Sequence, residues 1–369
     1  MLEATDKTRY HDGTKLLWHM DRVIEHFDKG KRVPPIHIDA GLTKKCNERC
    51  IYCYGAYQNM DGSVMSRTAL VDNLVKSAAK IGVRSLAFIG DGEPTLNPYL
   101  YEALEEGGKS GLSLSLSTSG YLLDSDEKRK VVLENCEWMR FNISAFTASG
   151  FKQVHGVTEH FRNKVIENIT KLVEYKHKHN LKCDIGLQTV FVPRGVMVKE
   201  LRDIAYFARE VGVDYYVIKQ CSLPDAGESG MAQFELTDYQ KPEIVDLLKG
   251  CALLSTPQTQ IIPKWNLLFQ TKRPYDRCVA PPLIWEVSGN ADCFPCGYFF
   301  GNNAYESFKL GNLENSTLEE IVYSDRYWEI MQTMKEFDVH TGCKGACRLD
   351  KCNEFIWNYL QKPKGINFI

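Results

Sequence analysis

The feature that most constrains the fold of this chain is an alternation of short apolar strands with amphipathic helices between residues 35 and 221. We predict strands near 35–39, 84–90, 112–117, 138–144, 184–192 and 214–220. Helices are predicted between them, near 67–80, 98–108, 123–135, 160–178 and 198–211. Because strands that alternate with helices pair in parallel, the pattern predicts an α/β fold built on a partial (β/α)6 barrel of the TIM type.

Three closely spaced cysteines, Cys46, Cys50 and Cys53, follow the first predicted strand. Four clustered thiolates would close a zinc or iron–sulfur site. Three thiolates with the spacing C-x3-C-x2-C instead leave one iron of a 4Fe-4S cluster open to another ligand. A zinc turn is the alternative. Loops that follow barrel strands are where such folds carry their chemistry, so the position favours the iron–sulfur site.

A second motif comes directly after the second predicted strand and comprises Gly90, Asp91, Gly92, Glu93 and Pro94. Its glycines let the backbone approach a ligand closely, and its glutamate offers an acceptor for an ammonium group. Taken alone, the segment could equally be a turn.

These two motifs together resemble the signatures of the radical S-adenosylmethionine (SAM) superfamily, in which an aromatic residue, here Tyr52, precedes the last cysteine. The resemblance implies an enzyme of the oxidoreductase or isomerase type with a partial barrel. It also implies a 4Fe-4S cluster held by the three cysteines, with SAM at the open iron. The family's Gly-Gly-Glu-Pro motif meets the SAM amino group, so residues 90–94 are expected to bind SAM.

Polar residues at the carboxyl ends of the other predicted strands are further candidates for the cofactor site. Thr118 and Ser119 stand where the family commonly has Thr-Asn-Gly. Asn142 and Ser144 resemble the position that contacts the ribose, and Ser144 matches it better. Gln188 is expected to reach the SAM carboxylate or the substrate. For each of them, a turn or a satisfied strand position is the alternative.

The sixth predicted strand ends in two chemically competent residues, Lys219 and Cys221. The lysine is a candidate general base or anion-binding group. The thiol is a candidate hydrogen-atom donor to a substrate radical, because an S–H bond is weaker than most C–H bonds. A small buried apolar role is the favoured alternative for Cys221, as it is for Cys136, Cys183 and Cys251.

The last quarter of the chain is rich in cysteine, and its layout resembles the SPASM and shorter twitch domains, which carry auxiliary 4Fe-4S clusters. Thirteen cysteines in a chain without a secretory signal favour metal ligation over disulfides. We expect one auxiliary cluster, with zinc as the alternative. The expected ligands are Cys278, Cys296, Cys343 and Cys347, with Cys293 and Cys352 as alternates.

The predicted organisation has four parts. They are an N-terminal helical extension (1–34), the radical SAM partial barrel (35–221), a linker and helix (222–254) and a smaller C-terminal auxiliary-cluster domain (255–369).

Charge and hydropathy restrict the partners. A net charge of -2 gives no positive field for a phosphate backbone, so nucleic acid is not expected as a substrate. No apolar run approaches the ~20 residues of a membrane span and no signal peptide is visible, which predicts a cytoplasmic protein that does not bind membranes.

The substrate is expected to be a small sugar-like or amino-sugar-like metabolite that undergoes dehydrogenation, epimerisation or rearrangement. The reason is that the predicted helix from Lys15 to Lys29 is too short for a domain that grasps a leader peptide. A peptide or protein maturase of the sulfatase-maturase or thioether-forming type is the alternative. A non-catalytic iron–sulfur electron carrier is the third possibility. The auxiliary cluster would accept or relay electrons, with a flavodoxin or ferredoxin as the electron donor.

Overall fold

The computed structural model describes residues 13–53, 55, 58–221, 235–268, 273–343, 347–362 and 364–367. Its strands are β1 His37–Ala40, β2 Ser85–Phe88, β3 Ser113–Thr118, β4 Cys136–Asn142, β5 Asp184–Phe191, β6 Tyr215–Gln220, β7 Gln260–Pro263, β8 Ile284–Val287, β9 Asp292–Phe294 and β10 Gly311–Asn312. Its α-helices are α1 Met20–Val23, α2 Ser77–Ile81, α3 Leu100–Lys109, α4 Asp126–Asn135, α5 Ala148–His155, α6 Glu159–His179, α7 Gly195–Val211, α8 Pro242–Ala252, α9 Trp265–Leu268, α10 Leu318–Tyr323, α11 Asp325–Lys335 and α12 Asp350–Gln361.

Shorter helical turns complete the inventory. Turns of the 3-10 type span Thr14–His19, Pro94–Leu96, Leu236–Gln240, Gly297–Phe299 and Asn303–Phe308, and π-helical turns span Ile24–Asp28 and Thr68–Lys76. The predicted helix at 15–29 is therefore a succession of 3-10, α and π turns, and helix α5 was not predicted.

All the strands belong to one sheet, in the order β10-β9-β8-β1-β2-β3-β4-β5-β6-β7. Neighbours from β8 through β1 to β7 run parallel, whereas β9 is antiparallel to both β8 and β10. Strands β1 to β6 lie at the six predicted positions. The prediction of a mixed α/β fold with a large parallel, barrel-type sheet is confirmed.

Two parallel strands beyond the six predicted for the barrel extend its sheet, one at each side. β7 pairs with β6, and β8 pairs with β1 in the register His37↔Ile284. Both strands fall after residue 254, in the segment that we assigned to the C-terminal domain, so the sheet continues past that boundary. The division into domains remains a prediction, and the turn-rich linker expected at 222–230 lies outside the described residues.

The two faces of the barrel strands differ in chemistry. On β4, Met139 and Phe141 are fully buried, and on β3 Leu114 lies against Gly107 of helix α3. This apolar face packs on the surrounding helices. The alternate residues, among them Ser117 and Arg140, therefore point into the barrel, and Arg140 donates a hydrogen bond to Ser117 Oγ at 3.2 Å. The barrel interior is polar, as a binding site requires.

The first and last helical segments of the described chain share one apolar cluster. Leu16 and Val23 of the N-terminal turns share a small apolar cluster with Leu283 and with Ile356 of α12. In the described part of the chain, no helix combines the length and the apolar character needed to cross a lipid bilayer.

Candidate functional site

The predicted cluster cysteines lie on the loop after β1, and that loop is fixed to the end of helix α5. The amide of Arg49 donates to the carbonyl of His155 at 2.8 Å, and the amide of Ile51 donates to that of Val154 at 2.9 Å. Helix α5 ends at Gly156, which has a φ of 69°, and a Cβ there would lie 2.8 Å from Arg49 Cβ. Glycine is therefore needed both for the left-handed turn and for the close approach of the loop.

The three thiols of this loop share one environment. Burial raises the pKa of Cys46 to about 12 and raises the pKa values of Cys50 and Cys53 as well, and each thiol lies within electrostatic range of the other two. Thiols in such a place ionise only beside positive charge, which the irons of a cluster would supply. These residues fit a three-cysteine 4Fe-4S site.

Two further residues at this site, Glu48 and His155, were not predicted from the sequence. Cys50 Sγ lies 3.1 Å from Glu48 Oε2 and 3.2 Å from His155 Nδ1. Because the amide of Ser144 donates to His155 Nε2 at 3.1 Å, the proton of a neutral imidazole resides on Nδ1, which faces the thiol. His155 could not be predicted as a site residue because only the packing of α5 on the cysteine loop brings it to Cys50.

The segment at residues 90–94 joins parts of the barrel through its side chains. Asp91 accepts hydrogen bonds from Ser288 Oγ at 2.6 Å and from the amide of Gly289 at 2.8 Å, so it ties the end of β2 to the end of β8. A Cβ at Gly92 would collide with the carbonyl oxygens of Thr43 and Lys45, just before the cysteine loop. Gly92 therefore permits close backbone packing.

The carboxylate of Glu93 also accepts hydrogen bonds from other residues of the protein. Its carboxylate accepts from Thr95 N at 3.1 Å, from Thr95 Oγ1 and Thr118 Oγ1 at 2.5 Å each, and from Ser119 N at 2.7 Å. Three of these donors share Oε1, and only the Ser119 amide reaches Oε2, so Oε2 has a lone-pair position left for one more donor. Thr118 and Ser119 thus organise Glu93, and a SAM ammonium would have to share this carboxylate with them.

The remaining strand-end candidates lie close to the cysteine loop. Asn142 Nδ2 donates to Tyr52 Oη at 2.7 Å, and Asn142 pairs in register with Gln188 on β5. Ser144 Oγ accepts from the amide of Val190 at 3.1 Å. The structure therefore brings Tyr52, Asn142 and Gln188 to one end of the barrel.

Three buried polar atoms near this end have no hydrogen-bond partner among the described residues. They are Asn47 Nδ2, Asn142 Oδ1 and Gln188 Oε1. Buried polar atoms are normally satisfied, and unsatisfied ones point to a missing partner. SAM carries a carboxylate, an ammonium and ribose hydroxyls, which can complement both the donor and the two acceptors. The site therefore fits SAM.

Lys219 and Cys221 lie at the same end of the barrel. Burial lowers the pKa of Lys219 to about 8, with a further contribution from Arg140. Cys221 is buried after β6, and its amide donates to Tyr239 Oη at 3.0 Å. Its thiol lies within electrostatic range of Cys53, so the structure brings the candidate hydrogen donor near the cluster cysteines.

The four cysteines expected to hold the auxiliary cluster line one cavity, Cys278, Cys296, Cys343 and Cys347. Apolar and aromatic side chains make up most of the remaining wall. Backbone and side-chain donors approach the thiols, with the Tyr298 amide 3.5 Å from Cys296 Sγ. Such donors stabilise cluster sulfurs and thiolates.

The structure does not bring the two alternates, Cys293 and Cys352, to this cavity. Cys293 is fully buried on β9, with its Sγ 3.9 Å from the carbonyl of Ala291. Cys352 lies on α12 within electrostatic range of Arg348.

The two cysteine sites are joined by direct contacts. Gln58, just after the cysteine loop, donates to the carbonyl of Gly297 at 3.0 Å, and Gly297 follows Cys296. Glu286 of β8 lies against Gly297 and within electrostatic range of Asp91, and burial raises its pKa to about 7. A buried carboxyl group with a raised pKa therefore lies between the two sites.

Comparisons with known proteins agree with this geometry. Residues 41–208 match the family described as the radical SAM superfamily. The tungsten-containing aldehyde ferredoxin oxidoreductase cofactor-modifying protein of Pyrococcus furiosus is 20% identical over 322 residues, which cover 85% of this chain and 87% of that protein. The GTP 3′,8-cyclase of Campylobacter fetus subsp. fetus is 28% identical over 339 residues, which cover 90% of this chain and 92% of that protein.

A similar solved structure is that of Streptococcus suis SuiB bound to S-adenosylmethionine, with a TM-score of 0.63 and 16% identity over 86% of this chain and 72% of that chain. This likeness shows the fold. The expectation of an enzyme is confirmed, and an electron carrier is set aside. Residues 41–208 thus carry a radical SAM domain, and the findings support a radical SAM enzyme that uses a 4Fe-4S cluster and SAM and has a cysteine-rich C-terminal region.

Proposed function

We propose that this enzyme abstracts a hydrogen atom from a small metabolite. Cys46, Cys50 and Cys53 would hold the SAM cluster, and the C-terminal region would hold a second 4Fe-4S cluster. When bound, the first cluster and SAM supply a 5′-deoxyadenosyl radical. The observation that carries the proposal is the pair of separate cysteine sites, one of three thiols and one of four, at the barrel and beside it.

The chain's own residues would position SAM and exclude water. Asn142 and Gln188 would bind SAM through their unsatisfied side-chain oxygens, and Asn47 would bind it through its free amide nitrogen. Tyr52, which accepts a hydrogen bond from Asn142, would contact SAM beside them. Glu93, Thr118 and Ser119 hold the neighbouring loop in place. A rigid site is needed because the target C–H bond must lie at a fixed distance from the reacting carbon.

The four cysteines at 278, 296, 343 and 347 would hold the auxiliary cluster. The cavity has one thiol for each of four irons, so the protein would supply every cluster ligand. A cluster without an open iron suits electron transfer better than substrate binding. It would accept an electron from the substrate radical or relay one from a flavodoxin or ferredoxin in the cytoplasm.

A small sugar-bearing metabolite is the favoured substrate class. Two relatives that match at least 85% of this chain are named for a GTP cyclisation and for the modification of a cofactor, and both names concern small molecules. Modification of a peptide is the second candidate, because SuiB, which shares the fold, has also been solved bound to a precursor peptide.

The test is an anaerobic assay of the reconstituted protein with SAM, dithionite and either a pool of phosphorylated sugars and nucleotides or a peptide library. We expect 5′-deoxyadenosine release that the Cys50→Ala variant lacks, and deuterium transfer into deoxyadenosine from a labelled small molecule. Deuterium transfer only from labelled peptides would favour the maturase. Absence of deoxyadenosine from the iron-loaded protein would refute the proposal.

A further inference from the structure

Three cationic side chains project into the barrel from the part of the sheet between β4 and β7. Arg140 lies on β4 and Lys219 on β6, and Lys264 directly follows β7. Asn142, two residues after Arg140 and hence on the same face of β4, bonds to Tyr52 on the cysteine loop. Arg140 therefore points to the side of the sheet that faces the cofactor site.

Lys219 and Lys264 share that side. Tyr215, four residues before Lys219, lies on the inner face, because its ring would clash with a Cβ on Gly186, the register partner of Arg140. The amide of Lys264 donates to the carbonyl of Ile218 at 2.9 Å, which continues the β6–β7 ladder and sets Lys264 beside Lys219. The strand geometry thus puts all three cations on the inner face, with Lys219 and Lys264 side by side and Arg140 level with Tyr215, four residues before Lys219. The Arg140 guanidinium is within electrostatic range of both lysine ammonium groups.

None of the three forms an ion pair with a carboxylate among the residues that the structure describes. The one hydrogen bond seen for the Arg140 guanidinium goes to Ser117 Oγ at 3.2 Å. The guanidinium also lies over the Trp138 ring, 5.2 Å from the ring centre. Other poorly exposed cations have polar partners. Lys176 lies 2.6 Å from Asp214, and Arg129 lies 2.7 Å from Asp126. Lys44 has no carboxylate partner, but its Nζ donates to the carbonyls of Gln58 and Asn59. No such partner is seen for the ammonium group of Lys219 or Lys264 among the described residues.

The cations also repel one another. Burial lowers the pKa of Lys264 to about 7, and repulsion from Arg140 and then Lys219 contributes to the shift. Burial and Arg140 lower the pKa of Lys219 to about 8. Charges that are brought together in a half-buried place without a counter-ion destabilise the ligand-free protein, and an anion that enters among them relieves this repulsion.

We infer that Arg140, Lys219 and Lys264 form a subsite for a phosphoryl group of the substrate. Three cations exceed the charge of one carboxylate and match a phosphate ester dianion or a diphosphate. Arg140 offers a planar fork to two oxygens, and each lysine offers an ammonium to another. The inference rests on the proposed function in one respect, since it names the class of small molecule on which that chemistry acts.

The test measures binding of inorganic pyrophosphate by calorimetry to the reconstituted full chain, with SAM present so that the SAM carboxylate site is filled. We expect Lys264→Gln and Lys219→Gln each to weaken binding about tenfold. Lys171→Gln, which removes an exposed lysine that pairs with Glu167, is the matched control and should bind as the wild type does. Malonate, a dianion without phosphorus, should bind at least tenfold more weakly than pyrophosphate.

Three results would overturn the inference. They are pyrophosphate affinity unchanged in both variants, malonate binding equal to that of pyrophosphate, and weakened SAM binding with pyrophosphate unaffected. The last would assign the cations to SAM. Melting temperatures of the ligand-free variants at or above the wild-type value would exclude misfolding as the cause of lost affinity. Deoxyadenosine release in the same samples separates the two proposals, because it tests the radical chemistry without a phosphorylated substrate.

Discussion

Asp91 provides the sharpest test of how the Gly-Asp-Gly-Glu-Pro segment works. Its two oxygens accept from Ser288 Oγ at 2.6 Å and from the Gly289 amide at 2.8 Å, and all three residues are in the interior. An asparagine keeps both contacts, because its Oδ1 accepts from the Gly289 amide and its Nδ2 donates to the serine hydroxyl, which can also accept. An alanine keeps neither.

The expected costs follow from this difference. Asp91→Ala leaves a buried amide and a buried hydroxyl without partners, at about 1–3 kcal/mol for each group, so we expect a loss of about 2–6 kcal/mol of folding free energy. Asp91→Asn should cost less than about 1 kcal/mol. It also removes a buried carboxyl group whose pKa is raised by burial, which offsets part of any change in geometry.

Urea denaturation followed by tryptophan fluorescence measures both variants, with Glu102→Gln as the control because that carboxylate forms an exposed ion pair with Arg67. SAM affinity is measured in parallel. The reasoning would be refuted if Asp91→Asn lost as much stability as Asp91→Ala. It would equally fail if Asp91→Asn kept its stability but lost SAM binding, since the carboxylate would then contact SAM directly.

Three further predictions concern the clusters and the cationic subsite. His155→Phe removes an N–H donor from a cluster-ligand thiolate, so the midpoint potential of the SAM cluster should fall, as measured by redox titration with electron paramagnetic resonance. Cys293→Ser and Cys352→Ser should each retain the wild-type iron content, because neither thiol lines the four-cysteine cavity. Pyrophosphate affinity should fall as the pH rises from about 7 to about 9, because Lys264 and Lys219, with pKa values of about 7 and about 8, lose their protons there.

Specific results would contradict these predictions. An unchanged potential in His155→Phe would mean that its N–H does not reach the thiolate in the loaded enzyme. Loss of about four irons in Cys293→Ser would place that thiol in a cluster. For the pH profile, the other groups that face the lysines are Arg140 and Cys221. If the fall in pyrophosphate affinity with rising pH persisted in a Lys219→Gln/Lys264→Gln double variant, groups other than these two lysines would be responsible for it.

Local pattern was sufficient to predict the six barrel strands, since each alternates with a helix and ends near a polar residue. The places of β7 and β8 in the barrel sheet were not predicted, because both strands lie far along the chain from the six strand–helix units. Their place in the sheet is set by pairing with β6 and β1, which are distant in sequence. Such long-range pairing leaves little local signal.

The cysteine spacing and the strand ends predicted most of the candidate site residues. They did not predict which groups each of these residues contacts. Asp91 and Glu93 belong to a motif that we associated with SAM, yet their carboxylates bond mainly to the protein. His155 and Lys264 became visible only when the fold brought them to Cys50 and Lys219. A side chain's partner across the barrel depends on register and strand tilt, which composition does not reveal.

The most direct test of the two-cluster account is the iron and sulfide content of the anaerobically reconstituted protein. The wild type is compared with the Cys46/Cys50/Cys53→Ala variant and with the Cys278/Cys296/Cys343/Cys347→Ala variant. We predict about eight irons in the wild type and about four in each variant, with deoxyadenosine release abolished when the first set is removed. About four irons in the wild type and none after removal of the first set would mean that the C-terminal cysteines hold no iron–sulfur cluster, and would contradict the account.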